Sequence, residues 1–201
     1  GFEEQLLRAQ AEAGESRRRA RKAYELAGDA EDAALNHGSA LAHYQKALEH
    51  TPKADTPEEW AALQLKVGGC HWNLGLRVEG GAIHSHLQAA VAALRAALEV
   101  YARESLPQDW AGTQNNLGAA LGDLAGRQEE EEGMASQRAS VAAYRAALEV
   151  QTQESLPQDW AGTQNNLGLA LSELAGRQQG EEGMESLRAA GLKPRSLDLK
   201  P

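Results

Sequence analysis

The chain has 201 residues, 42% of them hydrophobic, and a formal net charge of −9. That is enough apolar material for a sizeable core, and the wrong sign for wholesale nucleic-acid binding, because a phosphate backbone asks for a basic face. A single cysteine, Cys70, excludes disulfide scaffolding within the chain and reads as a small packed side chain in a reducing compartment, so the expected location is cytoplasmic.

From the start, residues 2 to 27 read as one helix in which Tyr24 stands where Leu74 and Leu124 stand later. Arg17 and Arg18 fall at the positions of the later leucine-glycine pairs. The cluster Arg17, Arg18, Arg21 and Lys22 is either a solvated capping face or a patch for an anion or an acidic partner. Residues 30 to 51 form a second helix with Leu41, Tyr44 and Leu48 on its apolar face. Helices follow at about 57 to 76, 84 to 103, 107 to 126, 134 to 153 and 157 to 176. The segments 77 to 83, 127 to 133 and 177 to 183 read as loops. Thr56 with Glu59, and Ser105 with Gln108, supply N-cap and capping-box signals, each beside a proline in the first turn. No apolar run approaches the roughly 20 residues needed to span a bilayer, and no charged-then-apolar leader opens the chain.

The organising feature is repetition. ESLPQDWAGTQNNLG runs from Glu104 to Gly118 and recurs unchanged from Glu154 to Gly168, fifty residues on. A fainter copy holds Trp60, Gln64, Val67 and Gly68. The partner half repeats as LAHYQKALEH, VAALRAALEV and VAAYRAALEV. Trp110, Leu117, Leu121 and Leu124 share one helical stripe, as do Val141, Tyr144 and Leu148. One such pair cannot bury enough surface alone, so the pairs must stack into a continuous core. The expected divisions are an atypical capping repeat at 1–54, repeats at 55–104 and 105–154, a truncated repeat at 155–190 and a tail at 191–201. Apolar surface around Trp160, Leu167 and Leu174 is then left to be covered by the tail, by a second copy in a homodimer, or by a further segment.

This pattern resembles the tetratricopeptide repeat, traced through Gln114, Leu117, Gly118, Leu121, Ser140, Tyr144 and Thr152, with Ala40, Tyr44 and Pro52 in the upstream copy. Trp110 and Trp160 sit one turn earlier than the family's tryptophan, and fifty residues exceed the family's usual period of about 34. Within the family, TQNNLG is most similar to kinesin-light-chain-type repeats and to bacterial tandem arrays. The resemblance implies an all-α, right-handed solenoid that binds a protein or peptide on its concave wall. It also implies that the mid-helix asparagines Asn115, Asn116, Asn165 and Asn166 bond the backbone of an extended peptide. Gln114 and Gln164 are their neighbours in the string. Asparagine is unfavourable mid-helix, so something should compensate. The alternative is that these amides only bond neighbouring helices and fix the stacking.

Chemistry is hard to place. His84 and His86 with His71 are the best metal candidates, but no carboxylate or cysteine recurs at a ligand spacing, and no metal or other cofactor is expected. Neither a phosphate loop nor a nucleophile elbow is present. The expectation is therefore a non-enzymatic interaction module. The alternatives are a self-associating scaffold using the C-terminal face, or the regulatory arm of a larger signalling protein.

Overall fold

The computed structural model describes residues 1–77 and 80–189. The expected tail at 191–201, with Leu192, Leu197 and Leu199, lies outside them. Among the described residues there are seven helices, α1 (Phe2–Ala33), α2 (His37–Glu49), α3 (Pro57–Arg77), α4 (Ala82–Leu98), α5 (Pro107–Ala125), α6 (Glu130–Leu148) and α7 (Pro157–Ala189). The chain is all-α. Each helix packs mainly on those before and after it, and α5 also touches α3 and α7. No helix among the described residues is long and apolar enough to cross a membrane.

The fifty-residue rhythm survives as a rhythm of burial. Ala61, Leu63, Val67, Gly68 and Cys70 are buried in α3, and Ala111, Thr113, Leu117, Gly118 and Ala120 are buried at the same places in α5. The largest apolar cluster joins Leu87, Val91 and Leu94 of α4 to Leu117, Leu121 and Leu124 of α5. Burying side chains of this size is worth roughly 1.5 to 3 kcal/mol each, and the cluster spans two repeats, so neither keeps it alone. Lys53 pairs with Glu99, and Arg103 pairs with Glu149 at 2.5 Å fifty residues later. The same two cations lie over Trp60 and Trp110. The early tryptophans therefore anchor the junctions between repeats.

Within each pair, a glycine admits a large side chain from the second helix. A Cβ at Gly28 would lie 2.5 Å from the Tyr44 ring, one at Gly68 2.9 Å from Leu94, and one at Gly118 2.8 Å from the Tyr144 ring. The first repeat thus carries its signature at Ala27-Gly28, and Arg17 and Arg18 do not occupy those positions. Fifty-residue counting fails there because the turn between α1 and α2 is short. Leu35 makes that turn with φ of 61°, a left-handed conformation rare for a bulky residue. Beside it, Lys66 Nζ reaches Glu25 at 2.8 Å and Asp29 at 2.7 Å, which ties α3 to α1.

Several expected boundaries move. Residues 30 to 33 continue α1, because Ala-Glu-Asp-Ala contains no breaker. Helix α4 stops at Leu98 and α6 at Leu148, where 3-10-type backbone bonds close the turn earlier than the apolar stripe suggests. Ser105 is not a cap: Leu106 holds that place with no side-chain bond, and Pro107 begins the helix. The Thr56 hydroxyl donates to the Pro52 carbonyl instead of accepting from the helix. Glu130, Glu131 and Glu132 form the first turn of α6, where carboxylates complement the helix dipole. The expected loop at 177 to 183 is helical within α7. Its near-twin at 127 to 133 does turn, because Arg177 Nη2 donates to the Ala125 carbonyl at 2.7 Å and satisfies the end of α5.

Among the described residues no second helix lies against Gly168 of α7, and a Cβ added there has none of their atoms within 4 Å. Trp160, Leu167 and Leu174 are nonetheless half-buried, and Leu167 and Leu174 pack against Val141, Tyr144 and Ala170. The exposed apolar residues on this face are Leu169 and Leu171. Contacts between the middle of α6 and the middle of α7 thus shelter Leu167 and Leu174, which were expected to be bare.

Candidate functional site

The repeated polar string divides between the two copies. Asn115 Oδ1 accepts from Asn166 Nδ2 at 3.3 Å and lies 3.0 Å from the Thr163 hydroxyl. Thr163 Oγ1 is also 2.7 Å from Gln151 Oε1 as placed. One hydroxyl hydrogen cannot serve both oxygens, so the Gln151 amide turns its nitrogen toward Thr163 when Thr163 donates to Asn115. Thr163 and Gln151 are buried, which makes this network a clasp between α5 and α7. Asn115 and Asn166 thus have internal partners. Gln114 and Asn116 are half-buried, whereas Gln164 and Asn165 are exposed on α7.

Beside this clasp runs a groove that sequence reading missed. A cleft of about 190 Å³ is lined by Asp123, Gln137, Tyr144, Asn166 and Glu173, among others. It shares Gly122, Asp123 and Glu173 with a second hollow of about 530 Å³ that extends to Arg127 and Arg177. Gly122, Gly126 and Gly176 leave its walls without side chains. Asp123 and Glu173, fifty residues apart, bring a carboxylate from α5 and one from α7 to the same groove.

In the smaller cleft the charged side chains are both acceptors, Asp123 and Glu173, whereas the larger hollow adds Arg127 and Arg177. Gln137 is fully buried; its Nε2 donates to the Ala170 carbonyl at 2.9 Å, while its Oε1 has no partner. Asp123 Oδ2 accepts from the Trp72 indole at 2.6 Å. Tyr144 shows the local field: burial first, then the Asp123 and Glu173 carboxylates, push its phenol up to about 12. An orphaned buried acceptor costs about 1 to 3 kcal/mol, so a donor entering here recovers energy the protein has already lost.

The arginine patch is incomplete. Arg17, Arg18 and Lys22 are exposed on α1, but Arg21 is half-buried and turns 3.8 Å from Glu59 of α3. His71 and His86 meet, Nδ1 to Nδ1, at 3.0 Å, while His84 is half-buried nearby in sequence. Burial, then His86, holds the His71 pKa below the usual histidine range. A different group joins Asp32, His37 and Cys70, whose donor atoms lie within 4.8 Å of one another. The sequence gave no hint of it because Cys70 is 33 residues from His37 and only the fold brings them together. Compared with known proteins, the sequence matches no family model and no curated protein.

Proposed function

We propose that the chain is a tetratricopeptide-like, right-handed α-solenoid acting as a non-enzymatic interaction module, with an extended basic peptide seated between α5 and α7. The observation that carries this reading is the unpartnered, fully buried Gln137 Oε1 in a cleft shared with Asp123 and Glu173. A lysine or arginine side chain would bring donors to Gln137 Oε1 and add to the Trp72 indole that Asp123 already holds. The exposed amides of Gln164 and Asn165 can bond a peptide backbone alongside, since an amide both donates and accepts. Helices that pack on chain neighbours support the solenoid, and the fifty-residue recurrence of buried positions supports its kinship with tetratricopeptide arrays.

Selection from a displayed random-peptide library tests it. Enriched peptides should share a basic residue, and Glu173→Gln should weaken their binding about tenfold, the scale of a hydrogen bond to a charged group. Binders without a basic residue, or equal affinity for both proteins, would refute the assignment. A second reading, self-association through α7, is favoured by the exposed Leu169 and Leu171. It requires a dimer in light scattering at low concentration that Leu169→Glu dissolves.

A further inference from the structure

Three side chains from three helices converge at the first junction. Asp32 lies near the end of α1, His37 opens α2, and Cys70 sits in the middle of α3. Asp32 Oδ1 is 2.8 Å from His37 Nδ1 and 3.8 Å from Cys70 Sγ, and the three donor atoms lie within 4.8 Å of one another. His37 and Cys70 are buried, while the Asp32 side chain keeps 45% of its surface in solvent. We propose that Asp32, His37 and Cys70 bind one divalent cation of the zinc class, completed by a water molecule on the open side of Asp32.

The donor set fits such an ion. Thiolate sulfur, imidazole nitrogen and carboxylate oxygen are the ligands zinc takes in proteins, at about 2.3, 2.0 and 2.0 to 2.2 Å. In a tetrahedral shell those ligand atoms stand roughly 3.3 to 3.7 Å apart, so changes in separation of up to about 1.3 Å accommodate it. The charge balance points the same way. Asp29 and Glu25, one and two turns earlier, are matched by Lys66. Asp32 has no lysine or arginine at ion-pair distance among the described residues, and its ion-pair contact is with the His37 imidazole.

A nucleophilic reading fits less well. A cysteine-histidine-aspartate relay needs the imidazole between thiol and carboxylate, whereas here the carboxylate oxygen lies between the other two. The thiol is also 2% exposed, closed to a substrate. The later repeats have Ala120 and Ala170 where Cys70 stands, which confines the site to the first junction. There the ion bolts the strained α1–α2 turn to α3.

Cobalt(II) titration of the chelator-treated, reduced full chain tests this. One equivalent should produce a thiolate-to-cobalt charge-transfer band that zinc abolishes by competition. Cys70→Ala, whose alanine matches the later repeats, should lose the band, and Asp32→Asn should weaken cobalt binding at least tenfold. His86→Ala, which removes the other histidine pair, should leave the band unchanged. Zinc should raise the thermal midpoint of the native chain and not that of Cys70→Ala. Absence of the band in the native chain, or its persistence in Cys70→Ala, overturns the proposal. If Cys70→Ala fails to fold by circular dichroism, Asp32→Asn decides: undiminished affinity there overturns it equally.

Discussion

Gly118 and Gly168 stand at the same letter of identical fifteen-residue strings, yet alanine should stabilise only the second. At either site the substitution removes a helix-interior glycine, a gain of about 0.8 to 1 kcal/mol. At Gly118 the new methyl would lie 2.8 to 2.9 Å from three atoms of the Tyr144 ring. That ring is rigid and buried, so it cannot swing aside as the end of a flexible chain would, and overpacking of this kind costs about 1 to 3 kcal/mol. The balance at Gly118 runs from neutral to about 2 kcal/mol destabilising. At Gly168 no atom of the described residues lies within 4 Å of the added methyl, so the full gain should remain. For a chain of this length each kcal/mol moves the thermal midpoint by about 2 to 4 °C. Melting followed by far-ultraviolet circular dichroism should therefore show Gly168→Ala rising by a few degrees and Gly118→Ala standing level or falling. Equal shifts in the same direction would refute the pairing of α6 with α5 and the openness of α7 together. Repeat arrays can melt in stages, so the transition reporting the C-terminal half is the one to compare.

Two further outcomes follow from the site. Asn115→Ala should cost about 1 to 2 kcal/mol by breaking the clasp with Thr163 and Asn166, whereas Asn165→Ala, at an exposed position, should stay within 0.5 kcal/mol; urea midpoints distinguish them, and equal costs would return Asn115 to the groove. For His71, the folded protein binds its proton less readily than the unfolded chain, so between the lowered folded pKa and the ordinary value near 6.5 the unfolded state holds more protons and stability rises with pH. Urea midpoints should accordingly fall as pH drops from about 7 toward 5, and His71→Gln should flatten that slope; an unchanged slope would mean the His86 contact does not govern it.

What could be read from the letters was periodic and local. The stripe through Trp110, Leu117, Leu121 and Leu124 fixed helix type and buried face, and burial matches position by position between 61–70 of α3 and 111–120 of α5. What could not be read depended on neighbours. The string RQQGEEG is helical while RQEEEEG turns, and the difference is an arginine arriving from the next repeat to satisfy Ala125. The asparagines were singled out by an unfavourable propensity, but propensity cannot say whether the compensating partner is a ligand or Thr163. The groove acids were overlooked because Asp123 and Glu173 are different residues at one register position, so a search for identical letters passes over them. Asp32, His37 and Cys70 share no spacing at all; a three-residue turn and a helix crossing make them neighbours.

The pocket that Gly118 offers Tyr144 is present again at Gly168, unfilled by any described side chain. Nothing in this geometry counts. A further helix bearing a tyrosine at the right register would seat there as α6 does on α5, once RQQGEEG turned as RQEEEEG does. Fifty more residues would therefore ask the end of α7 to turn while leaving the packing of α5 against α6 as it is, so identical letters can serve both an inner and an outer position.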